Sequence, residues 1–292
     1  MTAASTAEVL VRAAELSGID AAGAVSIRDG SNAIYELADR IVARIGKPGS
    51  YAAAARELQL SQWLNRSGIP TVRAFAATQP VVVDDRPVTW WQLIPDHRAS
   101  TPDELGAMLR ALHALLPPTT FQLPAYNPFA GIEERVVQAK SIGEGDRSWL
   151  IGRCRALKKQ YDGFPDSEST SVIHGDAWQG NLVVPASGVP TVLDLDKVSI
   201  GRREWDLIQI AVDYTDFERI GASEYSAFVM AYGGYDVTRW PGFRVVADIQ
   251  ELRWTAFALS VASGRVAAAA EAHHRIACLR GEFPRPWKWS AL

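Results

Sequence analysis

Residues 172–206, VIHGDAWQGNLVVPASGVPTVLDLDKVSIGRREWD, constrain the fold more than any other part of the chain. Two short apolar runs, residues 171–173 and 191–195, each end in polar residues. Each reads as a buried strand, the first delivering His174 and Asp176 and the second Asp194 and Asp196 to a shared sheet edge. Asn181 follows a short loop and opens a third apolar run, residues 182–184, which Pro185-Ala186-Ser187-Gly188 ends. Asp176, Asn181 and Asp194 are therefore expected to converge. That is the arrangement phosphoryl transfer needs: one carboxylate to orient and deprotonate a hydroxyl, and an amide oxygen with a second carboxylate to hold magnesium.

The pattern HGDxxxxN followed by an apolar strand ending in Asp resembles the catalytic and metal loops of the aminoglycoside phosphotransferase family, small-molecule relatives of the protein kinases. Gly175 stands where the protein-kinase template has Arg. The resemblance implies an α+β, two-lobed, protein-kinase-like fold: a small β-rich lobe over residues 1–95, a hinge near 92–95, and a larger, mostly helical lobe over residues 96–292. It makes Asp176 the catalytic residue and Asn181 and Asp194 the magnesium ligands, with ATP or GTP as phosphoryl donor. His174 is expected to tie the loop to the backbone near Asp194, and Asp206, in GRREWDL, to anchor the catalytic loop from within the core. Taken singly, a His-Gly-Asp is often a turn and an Asp after an apolar run often caps a helix. Both in order, with Asn181 between them, point to a kinase site.

The 48% hydrophobic content and 292 residues suit one large core or two modest ones. Thirty Lys plus Arg against 33 Asp plus Glu, a net charge of -3, argue against a non-specific nucleic-acid binder. Cys154 and Cys278 form no metal-ligand pattern, and no apolar run is long enough to span a bilayer. A cytoplasmic monomer or homodimer, with no nucleic acid or membrane as partner, is the expectation.

Upstream, residues 7–16 read as a leading helix ended by Gly18, and residues 24–45 as a strand, a loop and a hairpin. The loop Asp29-Gly30-Ser31-Asn32 falls where a kinase fold covers the phosphates, and Gly30 and Ser31 are the candidates there, although RDGSN is not GxGxxG. Ile41-Val42-Ala43-Arg44 resembles the VAIK strand of kinases with Arg for Lys; Lys47 is the alternative cation. Ser50 is expected to cap a helix to about Asn65, in which Glu57 shares the inward face with Leu60 and so requires a cation, Arg44. Residues 71–77 and 87–94 read as two more strands, with Trp90 in the core, Trp91 near the back of the nucleotide pocket and, by resemblance, Gln92, Leu93 and Ile94 meeting the adenine. Thr101-Pro102-Asp103-Glu104 starts a helix whose stripe is Leu105, Met108, Leu109, Leu112 and Leu116; His113 in it reads as packing or hydrogen bonded. Residues 127–135 and 147–161 are expected helical, as is nearly everything after Asp206.

The acceptor is a small-molecule hydroxyl, with an aminoglycoside-like or amino-sugar compound first. Trp178, Asp213, Asp216, Glu218 and Trp287 are candidates to surround its ammonium groups and sugar faces. HGDAWQGN with GRREWDL also resembles fructosamine kinases, and choline and homoserine kinases share the same fold logic. Two readings from other classes stand beside it, a nucleotide-binding pseudokinase and a metal hydrolase using His174, Asp176, Asp194 and Asp196.

Overall fold

A computed structural model of the chain describes residues 4–29, 32–165 and 170–292. In chain order the elements are α1 (Thr6–Ser17), β1 (Val25–Asp29), β2 (Ala33–Leu37), β3 (Ile41–Ile45), α2 (Tyr51–Arg66), β4 (Val81–Val83), β5 (Arg86–Gln92), β6 (His97–Ala99), α3 (Pro102–His113), α4 (Ile132–Gln138) and α5 (Glu144–Asp162). There follow β7 (Thr170–Ile173), β8 (Leu182–Pro185), β9 (Thr191–Val192), β10 (Ser199–Arg202), α6 (Glu204–Thr215), α7 (Ala222–Tyr232), α8 (Phe243–Val261) and α9 (Val266–Leu279). This is an α+β fold. It divides into two compact units, Met1–Ser100 with Gln179–Val198, and Thr101–Trp178 with Ser199–Leu292. Asn181 and Asp194, which lie beyond the expected boundary at 95/96, belong to the first. Among the described residues, no helix is long and apolar enough to cross a membrane.

The first unit is built on an antiparallel sheet in the order β1-β2-β3-β5-β4. On β3, Ile41, Ala43 and Ile45 join Val88 and Trp90 in a core closed by Val9, Leu10, Ala13 and Ala14 of α1. Val42 and Arg44 therefore take the opposite face, toward which α2 presents Leu60 and Leu64 against β5. With both faces covered, residues 87–91 are buried without interruption, so Trp90 and Trp91 lie in the interior on opposite sides of the sheet. A Ser5/Glu8 capping box starts α1 and Gly18, at φ 66, ends it.

Three local expectations are corrected here. Ser50 does not cap α2; its hydroxyl donates to the Lys47 carbonyl at 2.7 Å instead. Residues 71–77 form isolated bridges rather than a strand, because Val72 N–H bonds Val192 while Phe75 N–H bonds Trp90, dividing the segment between two sheets. On the edge away from β3, β5 pairs with β4. Finally, β7 pairs with β10 in a two-stranded sheet, whereas β9 pairs with β8 in a sheet ordered β6-β8-β9, so the two motif strands do not share a sheet edge.

In the second unit α8 packs on α4, α5, α6 and α9, burying Ile249, Leu252, Ala256 and Leu259. The Thr101/Glu104 capping box and Pro102 start α3 as expected. Residues 127–135 are not one helix: Gly131, at φ 72, precedes α4, and α5 begins three residues before Arg147. α3 packs on α7 at Gly106, where an added Cβ would stand 2.5 Å from the Phe228 carbonyl oxygen and 3.2 Å from the Tyr232 nitrogen. In an exposed helix, Gly to Ala gains about 1 kcal/mol. Here Gly106→Ala is expected to lose about 1–3 kcal/mol through overpacking against backbone, measured by urea unfolding.

Candidate active site

In the first unit, Arg44 lies on β3 opposite Thr89, and its Nη1 donates to Glu57 Oε2 at 2.5 Å. Glu57 is 6% exposed, so the pair is the one its inward position on α2 demanded. Lys47 is exposed in the turn after β3, and Arg44 is the cation paired with the helix carboxylate. Arg44 Nη2 also lies 3.8 Å from Asp194 Oδ1. Burial pushes the Glu57 carboxyl up to about 7 against the pull of Arg44, and Asp196 and Asp194 add to the rise.

The β8–β9 hairpin places the expected metal ligands. Its ladder pairs Leu182 with Val192, and the Leu193 N–H extends it by donating to the Asn181 carbonyl at 2.9 Å. Asn181 and Asp194 therefore stand at the same end of one hairpin. Asp194 takes a left-handed backbone, φ 52 and ψ 67, which turns the chain out of β9 and leaves it exposed. Asp196 is bound at its carbonyl by Arg56 at 3.0 Å and at its carboxylate by Lys197 at 2.8 Å. An amide oxygen and a carboxylate are hard donors that suit magnesium. Among the described residues no three His, Cys, Asp or Glu are grouped so as to hold a metal ion.

Gly30 and Ser31 lie outside the described residues. Gln92 ends β5, and its N–H and that of Leu93 donate to the Arg73 and Arg40 carbonyls, both at 2.8 Å. The carbonyl of Ile94 lies 2.9 Å from His97 Nδ1.

In the second unit, β7 delivers His174, Gly175 and Asp176. Asp206, 1% exposed on the first turn of α6, accepts from the His174 N–H at 2.6 Å and the Gly175 N–H at 2.8 Å, and contacts His113 Nε2 at 3.0 Å. The anchoring role expected of Asp206 is thus formed. The Gly175 carbonyl accepts from the Tyr126 hydroxyl at 2.9 Å and Trp205 Nε1 at 3.1 Å, and the Asp176 N–H donates to His174 Nδ1 at 3.3 Å. His113 Nδ1 meets the Tyr232 hydroxyl at 2.8 Å, linking α3 and α7 to this network. Sequence reasoning missed Tyr126 and Trp205 as loop contacts. The signal available was Trp205 directly before the expected anchor; for Tyr126 there was none.

The substrate candidates separate. Trp178 is 45% exposed. Asp213 pairs with Arg219 at 2.7 Å, and burial raises its carboxyl against that arginine. Glu218 takes φ 50 and lines, with Tyr214, Arg219 and Gly221, a cavity of about 590 Å³. Asp216 is 3% exposed and held by Arg244 at 2.8 Å and Arg285 at 2.9 Å, and Trp287, 4% exposed, stacks on Trp289 beneath Arg285. Both are buried, and Trp287 lines, with Arg244, Glu251 and Arg285, a cavity of about 370 Å³.

The protein-kinase-like fold, with an arginine–glutamate pair beside the Asn181–Asp194 end of a hairpin in one unit and a His-Gly-Asp loop in the other, is that of a small-molecule kinase. The model of the phosphotransferase enzyme family (APH) matches residues 25–245, and the chain belongs to that family. Amicoumacin kinase hAmiN, solved with AMP-PNP, Ca2+ and Ami, aligns with a TM-score of 0.74 at 14% identity over 96% of this chain and 95% of that one. The aminoglycoside phosphotransferase APH(3'')-Id from Streptomyces rimosus aligns at 0.64, with 19% identity over 85% and 98%. Choline kinase LicA from Streptococcus pneumoniae aligns at 0.65, with 13% identity over 94% and 100%. A search of curated proteins returned no significant match.

Because Glu57 keeps its proton to about pH 7 when folded and to about 4.5 when unfolded, the folded chain binds the extra proton between those values. Its contribution to stability therefore falls as pH rises from 4.5 to 7. Glu57→Gln is expected to flatten that part of the profile, read as the difference between wild-type and variant urea midpoints at pH 5 and pH 7.5.

Proposed function

We propose that this phosphotransferase moves the γ-phosphoryl group of ATP, or of GTP, to a hydroxyl of a small amine-bearing molecule. The single observation that carries the reading is the grouping of Arg44, Glu57, Asn181 and Asp194 in one unit, a cation held by a carboxylate beside two hard oxygen donors. In this reading Arg44, oriented by Glu57, steadies the α- and β-phosphates, and Asn181 and Asp194 hold magnesium. When bound, the ion neutralises charge on the phosphate oxygens. Gly30 and Ser31 cover the phosphates, and the backbone at Gln92, Leu93 and Ile94 meets the base. The Gln92 and Leu93 N–H groups are engaged within the unit, with the Arg73 and Arg40 carbonyls.

Asp176, exposed at the end of a loop held by Asp206, accepts the proton of the acceptor hydroxyl and orients its oxygen for in-line attack. Exposed Trp178, two residues on, supplies an aromatic face and exposed Glu218 negative charge for an ammonium-bearing acceptor, while Asp213, the further candidate, is already paired with Arg219. An aminoglycoside-like or amino-sugar acceptor comes first. Relatives described as acting on aminoglycosides and on choline share a hydroxyl beside a cationic amine, so a choline-type acceptor is the second reading.

The test is ADP release with Mg·ATP across streptomycin, kanamycin, spectinomycin, fructosamine and choline. Asp176→Asn is expected to lower turnover about 10²- to 10⁴-fold while ATP still binds. Asp194→Ala is expected to remove the magnesium dependence of nucleotide binding, measured by calorimetry. Full turnover in the Asp176 variant, or unchanged magnesium dependence in the Asp194 variant, would contradict the assignment.

A further inference from the structure

The peptide unit between Gly175 and Asp176 has an unusual amount of holding. Its N–H, on Asp176, donates to His174 Nδ1, and its carbonyl, on Gly175, accepts from both the Tyr126 hydroxyl and the Trp205 indole. A carbonyl oxygen offers two lone pairs, and two donors, the buried Trp205 and the half-buried Tyr126, fill them. The need for this lies in Gly175 itself. Its φ is 82, a region glycine enters freely and leaves as freely, so a Gly–Asp peptide with no partners would rotate between several orientations. The Asp176 side chain is exposed, and the peptide plane sets the direction in which it leaves the backbone.

The two donors come from different parts of the unit. Trp205 sits beside Asp206 on the first turn of α6, so that one turn grips Gly175 on both sides, at its N–H through Asp206 and at its carbonyl through Trp205. Tyr126 precedes α4, and its N–H donates to the Ile200 carbonyl at 2.8 Å, fixing it against β10. The rings of Tyr126 and Trp205 lie against each other, 5.1 Å between centroids, and the Arg253 guanidinium covers Trp205. Burial raises the Tyr126 hydroxyl well above the ordinary tyrosine value, which keeps it a donor across the working pH range.

We infer that Tyr126 and Trp205 are positioning residues for phosphoryl transfer, a two-donor lock on the Gly175 carbonyl that holds Asp176 in the orientation that accepts the hydroxyl proton. The inference rests on the reading of Asp176 as that acceptor. It concerns orientation and not nucleotide binding, so its signature is a loss of turnover without a loss of nucleotide affinity. A displacement of about 1 Å at a reacting group costs on the order of 10²-fold in rate, and removal of one of two donors costs less.

Tyr126→Phe deletes only the hydroxyl, and Trp205→Phe deletes the indole N–H together with part of the ring while keeping an aromatic face. Three readings are taken on each single variant, the double variant and Asp176→Asn. The first is turnover of Mg·ATP, with the acceptors named above and with water as acceptor by phosphate release. The second is AMP-PNP affinity, and the third is amide hydrogen exchange over residues 174–178. In the double variant, turnover is expected to fall about 10-fold or more, with AMP-PNP affinity within about twofold of wild type and exchange at 174–178 accelerated. Turnover within about twofold of wild type, or a loss matched by the loss of AMP-PNP affinity or of folded protein, would overturn the inference. Unchanged exchange sinks the lock whatever Asp176 does. Accelerated exchange together with wild-type turnover in Asp176→Asn sinks the assignment of Asp176 and, with it, the catalytic meaning of the lock.

Discussion

A carboxylate withdrawn from water must be met by donors, and Asp206 meets that demand by fixing the loop that carries Asp176. Its two oxygens take the N–H groups of His174 and Gly175, and one of them also contacts His113. Hydrogen bonds to an ionised acceptor are worth about 1.5–3 kcal/mol each, more than an ordinary backbone pair supplies. This strength holds Gly175 at a positive φ in a segment that is no longer a strand. The requirement passes outward through His113 to the Tyr232 hydroxyl, so α3, α6 and α7 are organised around one buried carboxyl group. The absence of a side chain at Gly106, which lets α3 approach α7 so closely, belongs to the same arrangement.

The first unit solves a parallel problem with opposite sign. Arg44 is placed on the central part of a sheet covered on both faces, and its guanidinium answers with one nitrogen to Glu57 and the other toward Asp194. A planar fork serves two carboxylates on different elements at once, which gives arginine a physical reason to stand where kinases carry lysine. Glu57 is held between a cation that favours its charge and a buried setting, with Asp194 and Asp196 nearby, that opposes it. Charge brought to Asp194 by an ion would therefore be felt at Glu57.

The parts of this arrangement legible in the sequence were those set by local pattern. The inward face of α2 identified Glu57 as needing a cation, the Thr101–Glu104 box located the start of α3, and Asp206 stood out as the carboxylate of a GRREWDL turn. Pairing over long sequence separations was not legible. Nothing local to residues 171–173 says that their partner is β10, and nothing local to residues 191–192 says β8. Asp216 looked like an exposed acid because Arg244 and Arg285, which neutralise it, lie 28 and more residues away. The packing of Trp287 against Phe217 and Trp289 could not be read from the sequence, because it joins positions far apart in the chain. Tyr126, in a loop with no periodicity, carried no signal at all.

The claim on which the account turns is that the Asn181–Asp194 end of the hairpin holds the metal of a bound triphosphate while Asp176 faces the acceptor. A crystal structure of the chain with AMP-PNP, magnesium and a phosphorylatable acceptor tests it directly. The account predicts an ion bonded to the Asn181 amide oxygen and an Asp194 carboxylate oxygen at about 2.1 Å, with the acceptor hydroxyl within hydrogen-bond distance of Asp176. Nucleotide and ion bound elsewhere, or Asp176 turned from the acceptor in the filled complex, would contradict it.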